Sequence, residues 1–166
     1  VGGARTVKEE SSARFSKDDF YKNSPDDPHS LSSNRTFDLI FDRQGYAWVA
    51  TDYGLNRWDP QSDQFTHFFF DSIYPDKPGN NFILNVFEDS QGLIWIGTVN
   101  GLHRYSYETQ SFESFFHDPN DTTTLSLSLI NDVLEDHEGT IWIATHSKGM
   151  NRLKKGETTF TRIMPE

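Results

Sequence analysis

"DSQGLIWIGTVNGLHRY", residues 89–105, decides how the whole chain is read. It opens on a polar turn, sets Trp95 between two isoleucines, and passes through Gly101 and Leu102 into a second polar–apolar run. Apolar and polar residues alternate as on a strand, with no helical period. The stretch recurs: "DRQGYAWVATDYGLNRW" begins at Asp42 and "DHEGTIWIATHSKGMNRL" at Asp136. Trp48, Trp95 and Trp142 fall at steps of 47 residues, as do Gly45, Gly92 and Gly139. Phe65, Phe112 and Phe160 follow at steps of 47 and 48, because the third copy carries one extra residue between Thr145 and Gly149. A strand-patterned period of about 40–50 residues implies a propeller or a related array.

Each copy reads as four short strands. The first is "TFDLIFD", "ILNVFED" or "INDVLED", and the second is "YAWVA", "LIWIG" or "TIWIA". The third is "GLNRW", "GLHRY" or "GMNRL", and the fourth is "QFTHFF", "SFESFF" or "TFTRIM". A D-x-x-G turn joins the first two, with glycine supplying a positive φ and aspartate accepting from turn amides. Four antiparallel strands per repeat make one propeller blade. The expected fold is therefore all-β, with three blades plus one extra strand, forming a partial or self-associating propeller. Residues 1–12 read as a flexible segment, and 13–33 as an outer strand (13–22) and crossover of a preceding or closing blade. The three blades are expected at 34–80, 81–127 and 128–166.

Composition narrows the function. The net charge of −10 repels phosphate backbones, which argues against nucleic acid as a partner. With no cysteine there is no disulfide, thiol nucleophile or cysteine zinc site. No apolar run reaches the roughly 20 residues that span a bilayer, so no membrane contact is expected from this segment. Fourteen phenylalanines, six tyrosines and four tryptophans supply the core that a 34% hydrophobic content would otherwise leave thin.

The repeats resemble the two-component regulator propeller repeat, whose pattern runs roughly N-x-I-x-x-I-x-E-D-x-x-G-x-L-W-I-G-T-x-x-G-L-x-R-Y. "NFILNVFEDSQGLIWIGTVNGLHRY", residues 81–105, follows it almost throughout. The first copy departs at Phe41 and Ala50; the third departs at Ser128, Ala144 and the inserted residue. The resemblance implies the periplasmic sensor region of a membrane-bound hybrid histidine kinase or diguanylate cyclase protein, many of them tuned to glycans. Rings of that family usually have seven blades, so three blades imply the rest of a longer chain or a second copy. A homo-oligomer through the open blade faces is accordingly expected.

Repeat-aligned residues read as scaffold, and copy-specific ones as candidates for binding. The second-to-third loops and the crossovers share one face of a propeller, around its axis. That face carries Asp52, Tyr53, Asn100, His146 and Lys148 from the loops. Asn34, Arg35, Asn81, Phe82 and Ser128 come from the starts of the inner strands. Amides, an aromatic ring and mixed charges suit an oligosaccharide or another polar small ligand. No histidine pair has H-x-x-x-H spacing, and the "DPND" and "DSQG" turns lack the ligand ladder of a calcium loop, so no metal and no cofactor are expected.

No phosphate cradle or G-x-S-x-G nucleophile occurs. The leading reading is a non-enzymatic ligand sensor. The alternatives are a protein-interaction or dimerisation scaffold, and a glycoside-active propeller enzyme with paired carboxylates across the axis. Sialidase-type propellers set aspartate two residues before glycine in the blade turn, whereas here it stands three before.

Overall fold

The computed structural model describes residues 21–76 and 79–163. Each repeat folds as one four-stranded antiparallel sheet. The first blade is β1 (Thr36–Phe41), β2 (Ala47–Thr51), β3 (Gly54–Asp59) and β4 (Gln64–Phe68). The second is β5 (Ile83–Glu88), β6 (Ile94–Thr98), β7 (Gly101–Ser106) and β8 (Ser111–Phe115). The third is β9 (Ile130–Glu135), β10 (Ile141–Thr145), β11 (Met150–Leu153) and β12 (Thr161–Ile163). In every blade the strands pair in chain order. The all-β, blade-by-blade architecture expected from the repeats is thus present, and the three sheets form no closed barrel. The extra strand expected over 13–22 lies outside the described residues except for Tyr21 and Lys22, which are not in a strand.

One device builds every blade. The Oδ1 of Asp42 accepts from the amides of Gln44 and Tyr46, both at 2.9 Å, and closes the first turn. Its Oδ2 accepts the indole N–H of Trp48 at 2.7 Å. Asp89 does the same for Trp95 at 2.8 Å, and Asp136 for Trp142 at 2.7 Å. Gly45, Gly92 and Gly139 take φ of 89°, 80° and 78°, a region that L side chains adopt only with strain. The aspartate and the tryptophan six residues later are therefore one unit, which fixes turn and core together.

Each sheet has two unlike faces. The tryptophan face of blade 1, with Ile40, Trp48, Ala50, Leu55 and Phe68, packs on Val86, Ile94, Ile96, Tyr105 and Phe112 of blade 2. Blade 2 repeats this: Trp95, Leu102 and Phe115 pack on Val133, Ile141, Ile143, Leu153 and Phe160 of blade 3. Core burial of this kind, at about 25 cal/mol per Å² of apolar surface, is what holds blade to blade. Gly97 of blade 2 lies hard against blade 3, since a Cβ there would meet Ile130 Cγ2 at 2.9 Å.

Polar latches supplement the packing. The amide of Arg43 donates to Glu88, and the amide of Ser90 donates to Glu135 at 2.6 Å. Tyr107 of blade 2 donates to Asp42 of blade 1.

Candidate functional site

The face expected to bind is organised by a bridge repeated three times. Asp52 N donates to Arg35 O, Val99 N to Phe82 O, and His146 N to Leu129 O, at 3.3, 3.1 and 3.1 Å. Each second-to-third loop is thereby tied to the start of its own inner strand. The loops hold their shape through Thr51, Thr98 and Thr145, whose hydroxyls donate to the carbonyls of Gly54, Gly101 and Gly149. The inner strands each carry one extra residue against their partners, Phe37, Leu84 and Asn131. Such bulges twist a strand and re-aim its side chains.

The ten expected residues divide into two groups. Asn34, Asn81 and Ser128 all serve their own crossovers: their side-chain oxygens accept the amides of Asn23 at 2.7 Å, Asp71 at 3.1 Å and His117 at 3.1 Å. They also stand 47 residues apart, the spacing of scaffold positions, and that spacing was the signal for this role. The copy-specific residues are placed differently. Arg35 and Asp52 form an ion pair at 2.9 Å, and Ser33 donates to the same carboxylate at 2.6 Å. The Arg35 guanidinium lies 5.8 Å from the centre of the Phe37 ring, which packs against Phe82 at 5.0 Å. Tyr53 is exposed and leans on Phe69 at 5.4 Å. His146 and Lys148 are exposed on the blade 3 loop, and the backbone N–H of Asn100 donates to Thr98. The structure therefore brings Arg35, Asp52 and Phe82 together through Phe37, with Tyr53 on the loop beside Asp52.

Nearer the axis, Asn85 donates from its amide nitrogen to Asp38 and to Asp132, both at 3.1 Å. The three side chains occupy the same register position in β1, β5 and β9. Asp38 also accepts the amides of Leu39 and Val86. Both axial carboxylates are thus acceptors for amides of the chain itself.

Other features were not read from the sequence. His103 is fully buried at the position held by Asn56 and Asn151 in the other blades. Those asparagines each accept a crossover amide, from Ser32 and Ser126, at 2.8 Å. His103 instead stacks on Phe70 at 4.0 Å and pairs through Nδ1 with Ser114 at 2.7 Å. Burial pulls its pKa down to about 3. In the "DPND" loop, the Arg162 guanidinium donates to the carbonyls of Asp118, Asp121, Thr124 and Leu125. An organic cation of the chain itself occupies this carbonyl cluster.

A concavity of about 620 Å³ opens on blade 1. It lies on the face of blade 1 turned away from blade 2, where Phe37, Leu39 and Phe41 stand exposed among the described residues, around Val49, Trp58 and Phe65. Tyr21 closes one side, edge-on to Trp58 and Phe65, with its hydroxyl on Asp63 at 2.6 Å. That hydrogen bond, then the one from the Trp58 indole, holds the Asp63 carboxyl below its usual range.

The profile of the two component regulator propeller family matches residues 30–53, 76–100 and 124–147, one segment per blade. The three repeats belong to that family. No curated protein matches the chain. Among solved structures, two of the extracellular domain of BT4673 from B. thetaiotaomicron are similar. One is described as part of a one component system: 21% identity, TM-score 0.63, covering 80% of this chain and 17% of that one. The other is described as part of a hybrid two component system: 23% identity, TM-score 0.66, covering 87% and 20%. The extracellular domain of BT3049, a hybrid two component system of the same organism, matches at 23% identity and a TM-score of 0.44, covering 89% and 24%. The chain spans about a fifth of the length of the BT4673 structures, whose likeness is one of fold. Among the described residues no helix is long and apolar enough to cross a membrane.

Proposed function

We propose that this chain is an extracytoplasmic, non-enzymatic sensing segment of a membrane-linked signal-transduction protein, in the periplasm, responding to a polar ligand such as an oligosaccharide. The observation that carries this reading is the coincidence of regulator propeller repeats with a loop face whose copy-specific residues cluster. Arg35, Asp52 and Tyr53 offer a cation, an anion and an exposed ring side by side, the groups that sugar hydroxyls and sugar faces use. A route outward exists in the same loop: Gly54 N donates to Asn81 O at 2.7 Å, joining the blade 1 loop to the blade 2 crossover. A ligand that shifts Tyr53 therefore acts on the start of β5, and through it on the packing between blades.

Titration of the 166-residue chain with a panel of neutral and acidic oligosaccharides, followed by amide NMR shifts, tests this. Shifts confined to residues 33–37, 52–54 and 81–83, and lost in Asp52→Ala, are expected. Absence of any shift across the panel would reject the glycan-sensing reading. It would leave the scaffold reading, which the apolar concavity on blade 1 favours.

A further inference from the structure

One position on the third strand of each blade fastens the crossover beside it. In blades 1 and 3 it is an asparagine: Asn56 and Asn151 accept the crossover amides of Ser32 and Ser126 at 2.8 Å. In blade 2 it is His103, which holds its crossover by ring stacking. The imidazole lies parallel to Phe70, with centres 4.0 Å apart and planes 6° apart, and both side chains are wholly buried. Phe70 opens a 3-10 turn, Phe70–Ser72, and its carbonyl accepts the amides of Ile73 and Tyr74 at 3.0 and 2.9 Å.

The same turn walls the blade 1 loop. Phe69 lies so close to Gly54 that a Cβ there would meet its ring at 2.8 Å, and Tyr53 leans on that ring at 5.4 Å. The amide of Asp71 donates to Asn81 Oδ1 at 3.1 Å, and the carbonyl of Asn81 accepts the amide of Gly54 at 2.7 Å. Three consecutive residues, Phe69, Phe70 and Asp71, thus tie His103 to the Tyr53–Gly54 loop.

The surroundings of the imidazole favour its neutral form. Nδ1 pairs with Ser114 at 2.7 Å, while Nε2 is buried with no hydrogen-bond partner among the described residues. Phe70 and Tyr74 face the ring from the crossover, and Ser114 and Phe116 from β8 and the residue after it. Of these groups the Tyr74 phenol is the one that titrates. The charged side chains on the same elements are Asp71, Arg104 and Glu113, the last two paired with each other. Burial alone pulls the His103 pKa down to about 3. A proton therefore binds once Phe70 has lifted and the ring has reached water.

We propose that His103 is a proton-sensitive latch on the turn at residues 69–74: protonation releases Phe70, and with it the Asn81–Gly54 bond that positions Tyr53 on the candidate binding face. The latch itself needs no ligand; its bearing on ligand binding rests on the sensing reading.

Amide hydrogen exchange of the full chain between about pH 7 and pH 5, corrected for the intrinsic pH dependence of exchange, tests the latch with no ligand present. The closed state has its full advantage above about pH 6.5 and loses it as pH falls toward 3. Opening at the amides of Asp71, Ile73, Tyr74 and Gly54 should therefore grow about 25-fold over the window. These amides should also exchange faster than those of β6 throughout, the mark of a local opening. His103→Asn should abolish the growth. Ser114→Ala, which leaves the ring buried, should raise opening at both ends of the window and keep the 25-fold ratio. Long-range proton–nitrogen NMR of the parent chain should find the His103 ring neutral down to about pH 5, a readout that does not depend on any variant folding.

Four outcomes overturn the proposal. The turn amides show no growth, or growth persists in His103→Asn. Gly54 stays protected while the turn opens. The turn exchanges no faster than β6. The ring takes up its proton while the turn stays protected.

Discussion

The indole nitrogen of Trp95 donates to Asp89 at 2.8 Å, and the other oxygen of that carboxylate accepts the amides of Gln91 and Leu93 at 2.9 Å. Both residues are almost wholly buried. Asp89→Ala leaves three donors without an acceptor and should cost about 3 kcal/mol. Asp136→Ala, at the partly exposed Trp142, should cost less, because water reaches the freed donors. Chemical denaturation of both variants checks the order. The Trp142 indole, then the Thr140 amide, holds the Asp136 carboxyl below its usual 3.8. A depressed carboxylate pKa stabilises above the unfolded value and is lost as pH falls through the folded one, so the Asp136 contribution disappears only below about pH 4.

Gly97 meets Ile130 where blades 2 and 3 come closest. Gly97→Ala should destabilise by about 1–3 kcal/mol, the usual range for overpacking. In an Ile130→Ala background, which lacks the Cγ2 methyl that meets the new Cβ, the cost of Gly97→Ala should shrink. The difference, measured as a double-mutant cycle in urea, separates a steric clash from a backbone effect.

His103 gives the fold a specific acid sensitivity. Its folded pKa, about 3, lies below the ordinary 6.5 because burial disfavours the imidazolium. The unfolded chain thus binds a proton that the folded one refuses. Stability is complete above about pH 6.5 and declines as pH falls toward 3. His103→Asn, which installs the residue of the other two blades, should flatten the pH dependence of Tm over that window. An unchanged difference between variant and parent from pH 7 to 4 would contradict this.

Arg162 holds the 117–128 crossover from inside. Arg162→Met keeps the aliphatic stem and removes the donors. It should cost about 1–3 kcal/mol and raise amide exchange at residues 118–125 above that of the other crossovers. Added calcium should not restore protection, since the guanidinium, and not a metal, fills those carbonyls.

Much of this architecture was legible because the repeat compares the chain with itself. Asp42, Asp89 and Asp136 announced a shared turn, and the tryptophans a shared core, through spacing alone. Asn34, Asn81 and Ser128 were read as binding residues although they too keep the 47-residue step. Their side chains bond to their own crossovers. Other features lie beyond what spacing can express. The Tyr107–Asp42 contact joins residues 65 apart on different blades. The Arg162 clamp depends on a crossover folding back on a strand. The blade 1 concavity is apolar at Phe41, where blades 2 and 3 carry Glu88 and Glu135. The departure at Phe41 was visible in the sequence; its consequence required knowing which side of the sheet it faces.

The central claim is that equivalent tryptophans occupy equivalent places in successive sheets, with Trp48 and Trp95 covered by the next blade and Trp142 less buried among the described residues. It is tested most directly by fluorine NMR of the 5-fluorotryptophan-labelled chain at low concentration with a neutral gadolinium chelate. Resonances are assigned through single Trp→Phe variants. Trp48 and Trp95 should show little relaxation enhancement, and Trp142 a clearly larger one. Equal enhancement at all three, or a shielded Trp142 in dilute solution, would contradict the account.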